Sequence, residues 1–173
     1  KYDLVIWHEP SNGFDANLLN EIKTNKVATW YILGSQAEMA SVKQLPLGLN
    51  LQLRQQLEEV QTYAQDGFSL FEPEQEWLSL LEQFPPLQRR FGECTTLGAT
   101  QTLLKQRIGP IQKKDPLLTF SDFNQQRSAC LLGEGIWRWK LQAYQKTQRH
   151  DAFQALIGQI CSYLLVKKEG MGL

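Results

Sequence analysis

A buried strand is predicted at Val27-Ala28-Thr29-Trp30-Tyr31-Ile32-Leu33, because this run is apolar, β-branched and aromatic and ends at Gly34. A second short apolar run, Tyr2 to Trp7, precedes it and ends at the breaker cluster Glu9 to Gly13. Between the two runs, Leu18, Leu19 and Ile22 share one helical face, and Asp15 could cap that helix. A strand, a short helix and a strand predict a right-handed βαβ unit with parallel strands.

This unit predicts an α/β fold over residues 1–173, a flavodoxin-like and mostly parallel sheet with helices on both faces. A β-hairpin insertion is expected near residues 117–132, where two apolar runs flank a polar loop. A strand is expected over residues 101–109 and a helix from Phe153 to Leu165. Residues 68–71 could form a short strand and residues 73–84 a helix, while residues 49–65 give mixed signals.

Composition excludes several classes of protein. Among 173 residues, 18 Lys and Arg balance 18 Asp and Glu, which argues against binding nucleic acid by bulk electrostatics. Cys94, Cys130 and Cys161 are widely spaced, and the chain has only two His. We therefore expect no disulfide framework, no metal site and no cofactor. Hydrophobic runs are too short to cross a bilayer, so we expect no direct membrane contact by this segment.

The first two strands resemble those of the class I glutamine amidotransferase-like domain. That family carries a strand of the form Tyr-Asp-Gly-Ile-Ile-Leu-Ser-Gly-Gly-Pro, and later one of the form Pro-Val-Leu-Gly-Ile-Cys-Leu-Gly-His-Gln. Here the first reads Tyr2 to Pro10, and the second ends Leu33-Gly34-Ser35-Gln36. In this register the nucleophilic Cys of the family falls on Ile32.

The resemblance implies a module without amidotransferase chemistry. Ile32 can supply no thiolate. The family also carries a His-Pro-Glu motif late in the chain, whereas here no His-x-Glu occurs and His150 follows the late strand by about a dozen residues. We therefore expect a catalytically inactive binding or structural domain, although a hydrolase or amidotransferase with a relocated site near His8, Glu9, Ser35 and Glu134 is an alternative. Ligand sensing without chemistry at the carboxyl edge of the strands is a third.

A narrower resemblance concerns Trp137-Arg138-Trp139 and the helix after it. Degenerate amidotransferase-like modules of bacterial membrane-anchored proteins with a von Willebrand factor A-like domain carry a similar Trp-Arg-Trp strand. It implies a domain cut from a longer, membrane-anchored protein, with the periplasmic side favoured, whose partners are neighbouring domains or another protein. On a strand, Trp137 and Trp139 would share one face opposite Arg138. They form either a binding surface or a pair of Trp packed beneath the last helix.

Other reactive side chains have structural interpretations. Ser35 lacks the Gly-x-Ser-x-Gly context of a nucleophile elbow and is predicted to cap a helix. Glu134, between two glycines, is either a displaced acid or a carboxylate paired with Arg. Cys130 and Cys161 are expected to be small core residues, and Cys94 is expected in a loop.

Overall fold

The computed structural model describes residues 1–11 and 16–166. It contains seven strands and five helices within those residues. The strands are β1 (Leu4–His8), β2 (Ala28–Ile32), β3 (Leu49–Ala64), β4 (Leu87–Thr96), β5 (Gln101–Ile108), β6 (Ile111–Phe123) and β7 (Gln126–Leu131). The helices are α1 (Ala16–Thr24), α2 (Met39–Val42), α3 (Gln75–Leu78), α4 (Trp137–Thr147) and α5 (Asp151–Leu165), and a 3₁₀ turn spans Leu81–Gln83.

The predicted flavodoxin-like α/β fold is wrong. The seven strands form one sheet in the order β1-β2-β7-β6-β5-β3-β4, and only β1, β2 and β7 run parallel. The other four pairings are antiparallel. The sheet curls into a half-barrel, and the structure as a whole is 40% strand and 28% helix. β5, β6 and β7 follow one another through short turns, and such connections reverse the chain direction, so these pairs are antiparallel.

The main cause of this error lies in residues 49–65, for which the sequence gives mixed signals. This segment forms β3, a strand of 16 residues that pairs with β4 and with β5. Leu49, Leu51 and Leu53 are half-buried at alternate positions, while Asn50 and Arg54 are exposed. This period of two is the pattern of a strand with one solvated face, and its abundance of glutamine obscured it.

Several local predictions are confirmed. β1 and β2 are parallel neighbours, with His8 opposite Ile32. The hairpin exists as β6 and β7, joined by Asn124 and Gln125, which both adopt the positive φ of a type I′ turn. It lies in the middle of the sheet, however, and is not an insertion. β5 and α5 also occupy the predicted positions.

Other local predictions differ from the structure. Residues 68–71 form no strand, and Phe68 and Phe71 instead pack their rings against Phe120. The helix expected over residues 73–84 is divided into α3 and the 3₁₀ turn. The proposed cap Asp15 lies outside the described residues.

Helix α5 covers the parallel part of the sheet. It contacts β1, β2 and β7, and it buries Leu156, Ile160 and Leu164. At its middle, the Gln159 amide accepts a 2.7 Å hydrogen bond from the Trp77 indole N–H. The core therefore fixes the ends of β1, β2 and β7, where the candidate site residues lie.

Candidate functional site

The structure brings together His8, Glu9, Ser35 and Glu134, which we call the carboxyl site. The end of β1 supplies His8 and Glu9, and the Glu9 N–H donates to the carbonyl of Ile32 at 2.9 Å. Ser35 lies in the turn after β2, and its hydroxyl donates to Oε1 of Glu134 at 2.7 Å. Parallel strands end at the same edge of a sheet, which is why residues so far apart in sequence meet.

Glu134 is held in place by its backbone. It forms a bridge with Gln88 at the start of β4, with N–H···O distances of 2.8 and 3.1 Å. Two residues further along β4, the Arg90 guanidinium donates to the carbonyl of Ser35 at 2.8 Å. These contacts join the first residues of β4 to the turn after β2 and the segment after β7. The carboxyl site therefore lies at a seam between the edge strand β4 and the segments that follow β2 and β7.

Gly34 is required by the packing of the two carboxyl groups. A Cβ at this position would collide with Oε1 of Glu9 and would lie 2.5 Å from Oε2 and 2.7 Å from Cβ of Glu134. Both side chains therefore lie directly against the Gly34 backbone, and no larger residue leaves room for them.

The two carboxyl groups shift each other's pKa. Burial, and after it the hydrogen bond and charge of the adjacent Glu134, raise the pKa of Glu9 to about 7, although the backbone amides of Gln36 and Gly34 act in the opposite direction. For Glu134, burial raises the pKa, but Glu9 and the Ser35 hydroxyl outweigh it and leave the pKa below its usual value. Glu9 therefore holds the proton near neutral pH, and Glu134 carries the charge.

His8, Glu9 and Glu134 are the residues that could hold a metal ion. One ligand atom from each lies within 4.8 Å of the other two. Both Glu9 oxygens are shielded from solvent and have no partner in regular hydrogen-bond geometry among the described residues. A cation bound here would have to displace the proton from Glu9, because metal ligands bind in their deprotonated form.

The order of the groups differs from that of a serine hydrolase. There, a His lies between the Ser that it deprotonates and the carboxylate that orients it. Here, Glu134 accepts directly from Ser35, and His8 lies on the solvent side, close enough for its charge to lower the pKa of Glu134. A carboxylate with a lowered pKa is a weak base, so this arrangement does not activate Ser35. Ser35 does not cap α2 either, since Glu38 precedes that helix.

Ile32 is part of the sheet, paired with His8 of β1 and Leu131 of β7, and only 8% of its surface is exposed.

None of the three cysteines belongs to the carboxyl site. Cys94 and Cys130 are buried in β4 and β7, so the expected loop position of Cys94 is wrong, and Cys161 is half-buried on α5. Burial raises the pKa of Cys94 to about 12 and raises those of Cys130 and Cys161, so all three thiols are protonated at neutral pH.

Trp137, Arg138 and Trp139 form the first turn of α4, and the strand predicted for them is wrong. Because a helix turns 100° per residue, Trp137 and Trp139 do not share a face. Trp139 is buried, stacks on Phe84 at 5.0 Å, and donates from its indole N–H to the carbonyl of Pro85. Arg138 donates to the carbonyl of Pro86 at 2.7 Å, whereas Trp137 is 63% exposed.

Sequence reasoning missed Gln88, Arg90 and the segment Phe84 to Pro86. All of them act through contacts across the seam, and the strand that carries Gln88 and Arg90 was not predicted. His150, which precedes α5, stacks on Tyr144 at a centroid distance of 4.8 Å and belongs to neither the carboxyl site nor the neighbourhood of Ile32.

No family model and no curated protein matches this chain. Solved structures that are similar in fold include the following four, each at or below 15% identity. The cytoplasmic proteins STM3548 and STM1381 from Salmonella typhimurium superpose with TM-scores of 0.58 and 0.57, at 15% and 13% identity. The superpositions cover 91% and 92% of this chain and 71% and 72% of those proteins.

Two β-galactosidases are similar over a smaller part of their length. A cold-adapted enzyme from Rahnella sp. R3 superposes with a TM-score of 0.52 at 12% identity, over 92% of this chain and 23% of the enzyme. The enzyme from Bacillus circulans sp. alkalophilus superposes with a TM-score of 0.51 at 12% identity, over 96% of this chain and 23% of the enzyme.

None of these findings supports the expected membrane-anchored parent or a periplasmic side. Among the described residues, no helix combines the length and apolar character needed to cross a membrane. The comparisons show the fold alone.

Proposed function

We propose that this chain is a binding module without amidotransferase or hydrolase chemistry. The observation that carries the proposal is the absence of an activated nucleophile at the end of β2. Ile32 occupies the position that the resemblance assigns to the catalytic Cys, and burial keeps all three thiols of the chain protonated. Kinship with amidotransferase-like domains belongs to this proposal and is supported by the residues of β1 and β2 alone.

The carboxyl site supports a structural role in this module. Glu9 and Glu134 pack against the Gly34 backbone, in the turn that would have to receive a substrate. A glutaminase needs free backbone N–H groups at such a turn to stabilise an oxyanion. Here the amides of Gly34 and Gln36 face the Glu9 carboxyl, so the chain's own side chain fills the space. We propose that the site locks the seam between β2, β4 and the segment after β7.

A paired assay tests this proposal. Glutamine hydrolysis and ester hydrolysis are measured for the wild type, Ser35→Ala and Glu134→Gln at equal concentration. We expect all three proteins to give the buffer rate for both substrates. A rate above buffer that disappears in both variants would support the alternative, a relocated active site at His8, Glu9, Ser35 and Glu134.

A further inference from the structure

Three side chains that can each bind a metal ion meet at the carboxyl site. One ligand atom from each of His8, Glu9 and Glu134 lies within 4.8 Å of the other two. Two donors that share one ion at about 2.1 Å are at most about 4.2 Å apart. Small side-chain rotations therefore suffice to bring all three donors onto one ion.

The backbone of Glu9 explains how two successive residues reach the same place. On a regular strand, His8 and Glu9 would point to opposite faces of the sheet. Glu9, however, has a φ of 54°, a left-handed conformation that is uncommon for residues other than glycine. The strand ends here, and the ligand atoms of both residues lie beside Glu134.

The Glu9 carboxyl group is enclosed and lacks a cationic partner. Both of its oxygens are shielded from solvent, and neither has a partner in regular hydrogen-bond geometry among the described residues. Buried carboxylates are normally hydrogen-bonded, paired with a cation or bound to a metal. None of the ion pairs among the described residues includes Glu9 or Glu134. Arg90 and Arg138 donate instead to backbone carbonyls, so the enclosed oxygens are left for another cation.

The three donors indicate which kind of ion fits. Ca²⁺ and Mg²⁺ prefer shells of six or more oxygens. One imidazole nitrogen and two carboxylate oxygens suit Zn²⁺, which takes four ligands. His8 is exposed, so water can reach the fourth position from its side. The Ser35 hydroxyl, which donates to Oε1 of Glu134, would orient that ligand from outside the coordination shell.

We propose that His8, Glu9 and Glu134 bind one Zn²⁺ ion. The ion would join the end of β1 to the segment after β7, across the Gly34 backbone on which both carboxyl groups pack. The proposal rests on the proposed structural role of the carboxyl site and names a ligand that strengthens it. Adjacent donors on β1 and a single donor far along the chain do not form the spacing of a zinc motif, so the sequence alone does not reveal the site.

Isothermal titration of Zn²⁺ into the metal-free protein at pH 8 tests the proposal. His8→Ala and Glu9→Gln each remove one ligand, and the second variant keeps the size of the side chain. His150→Ala and Glu59→Gln, at exposed positions outside the site, are the matched controls. Circular dichroism of each protein shows whether the fold is intact. Titration with Co²⁺ reports the type of donor, because a thiolate ligand would add an ultraviolet charge-transfer band to the spectrum.

We expect one Zn²⁺ per chain and no thiolate band. Loss of an outer-shell contact already weakens metal binding about 10–100-fold, so loss of a ligand in His8→Ala or Glu9→Gln should weaken it by about tenfold or more. Both controls should bind like the wild type. Absence of binding by the wild type, binding that survives either ligand substitution, an equal loss in a control or a thiolate band would each overturn the proposal.

Failure of the zinc site and failure of the proposed function give different results. A protein that binds no Zn²⁺ leaves the blank glutamine and ester assays unchanged, and it leaves the expected loss of stability in Ser35→Ala unchanged too. Ester hydrolysis by the zinc-loaded protein would contradict the proposed function while the zinc site itself would stand.

Discussion

The Ser35 hydroxyl donates a 2.7 Å hydrogen bond to Oε1 of Glu134, although 99 residues separate the two in the sequence. The bond joins the turn after β2 to the segment after β7, and Arg90 and Gln88 of β4 attach to the same two residues. In an active hydrolase this pair would begin a proton relay. Here the carboxylate that accepts the bond has a lowered pKa and is therefore a weak base, and backbone hydrogen bonds hold both residues against β4.

Ser35→Ala tests the strength of this contact. Removing the hydroxyl should lower the free energy of unfolding by about 1–2 kcal/mol, because Glu134 loses a donor to its charged form. The measurement is urea denaturation at pH 7. Ser162→Ala, an exposed serine on α5, is the control and should change the stability by no more than about 0.5 kcal/mol. Equal effects of the two substitutions would contradict the role given to Ser35.

The Glu9 and Glu134 pair predicts an unusual dependence of stability on pH. The pKa of Glu9 rises from 4.5 to about 7 on folding, so its contribution is full below pH 4.5 and is lost as the pH rises through 7. Glu134, with a lowered pKa, has the opposite dependence and loses its contribution in acid. Glu9→Gln, which imitates the protonated form, should therefore stabilise the protein at pH 8.

The expected gain for Glu9→Gln at pH 8 is about 1–2 kcal/mol. The pKa shift formally corresponds to about 3 kcal/mol, and screening by water around this partly buried pair reduces it. At pH 4 the variant and the wild type should differ little. Urea denaturation of both proteins at pH 4, 6 and 8 provides the comparison. If the difference in free energy of unfolding between the wild type and Glu9→Gln is the same at all three pH values, the pKa of Glu9 is not raised on folding.

Gly34→Ala and Gly158→Ala form a matched pair. At position 34 a Cβ would lie 2.7 Å from Cβ of Glu134, and Glu134 cannot retreat because its backbone is bonded to Gln88. We expect a loss of about 1–3 kcal/mol from overpacking. At Gly158 on α5 nothing lies within 4 Å, so the better helix propensity of Ala should add about 0.5–1 kcal/mol. Thermal unfolding of both variants tests the two signs.

The two tryptophans of α4 should respond differently to truncation. Trp139→Ala removes a buried ring that stacks on Phe84 and should cost about 3–5 kcal/mol. Trp137→Ala removes a side chain that is 63% exposed and should change the stability by no more than about 0.5 kcal/mol. Chemical denaturation measures both. A large loss for Trp137→Ala would mean that this side chain supports the fold despite its exposure.

The sequence predicted those elements whose signals are local. Strand β2 is a continuous apolar run, α5 has an unbroken helical period, and the β6–β7 hairpin is bounded by polar residues, so each could be recognised alone. The direction of the remaining strands could not be recognised, because it depends on β3, whose glutamines hide the alternation of Leu49, Leu51 and Leu53. Because β3 and β4 were both missing from the prediction, the expected sheet was mostly parallel, whereas the observed sheet is mixed.

The candidate site shows the same division. His8, Glu9 and Ser35 follow two predicted parallel strands, so their proximity could be anticipated from the edge of the sheet. The bonds from Gln88 and Arg90 could not, because they cross a seam formed by the curl of the whole sheet. Trp137 to Trp139 were misassigned because alternating aromatic residues suit a strand, whereas the anchors on Pro85, Pro86 and Phe84 place them on a helix.

The absence of an activated nucleophile is tested most directly by labelling with a thiol-reactive glutamine analogue. The native protein is incubated with the reagent at pH 7.5, and its intact mass is recorded before and after the incubation. Peptide mapping then locates any adduct. Because Cys94 and Cys130 are buried and all three thiols are protonated, we expect no stoichiometric adduct on any cysteine. One full equivalent of label on a single cysteine of the native protein, with glutaminase activity that is lost when that residue is replaced by Ser, would contradict the account.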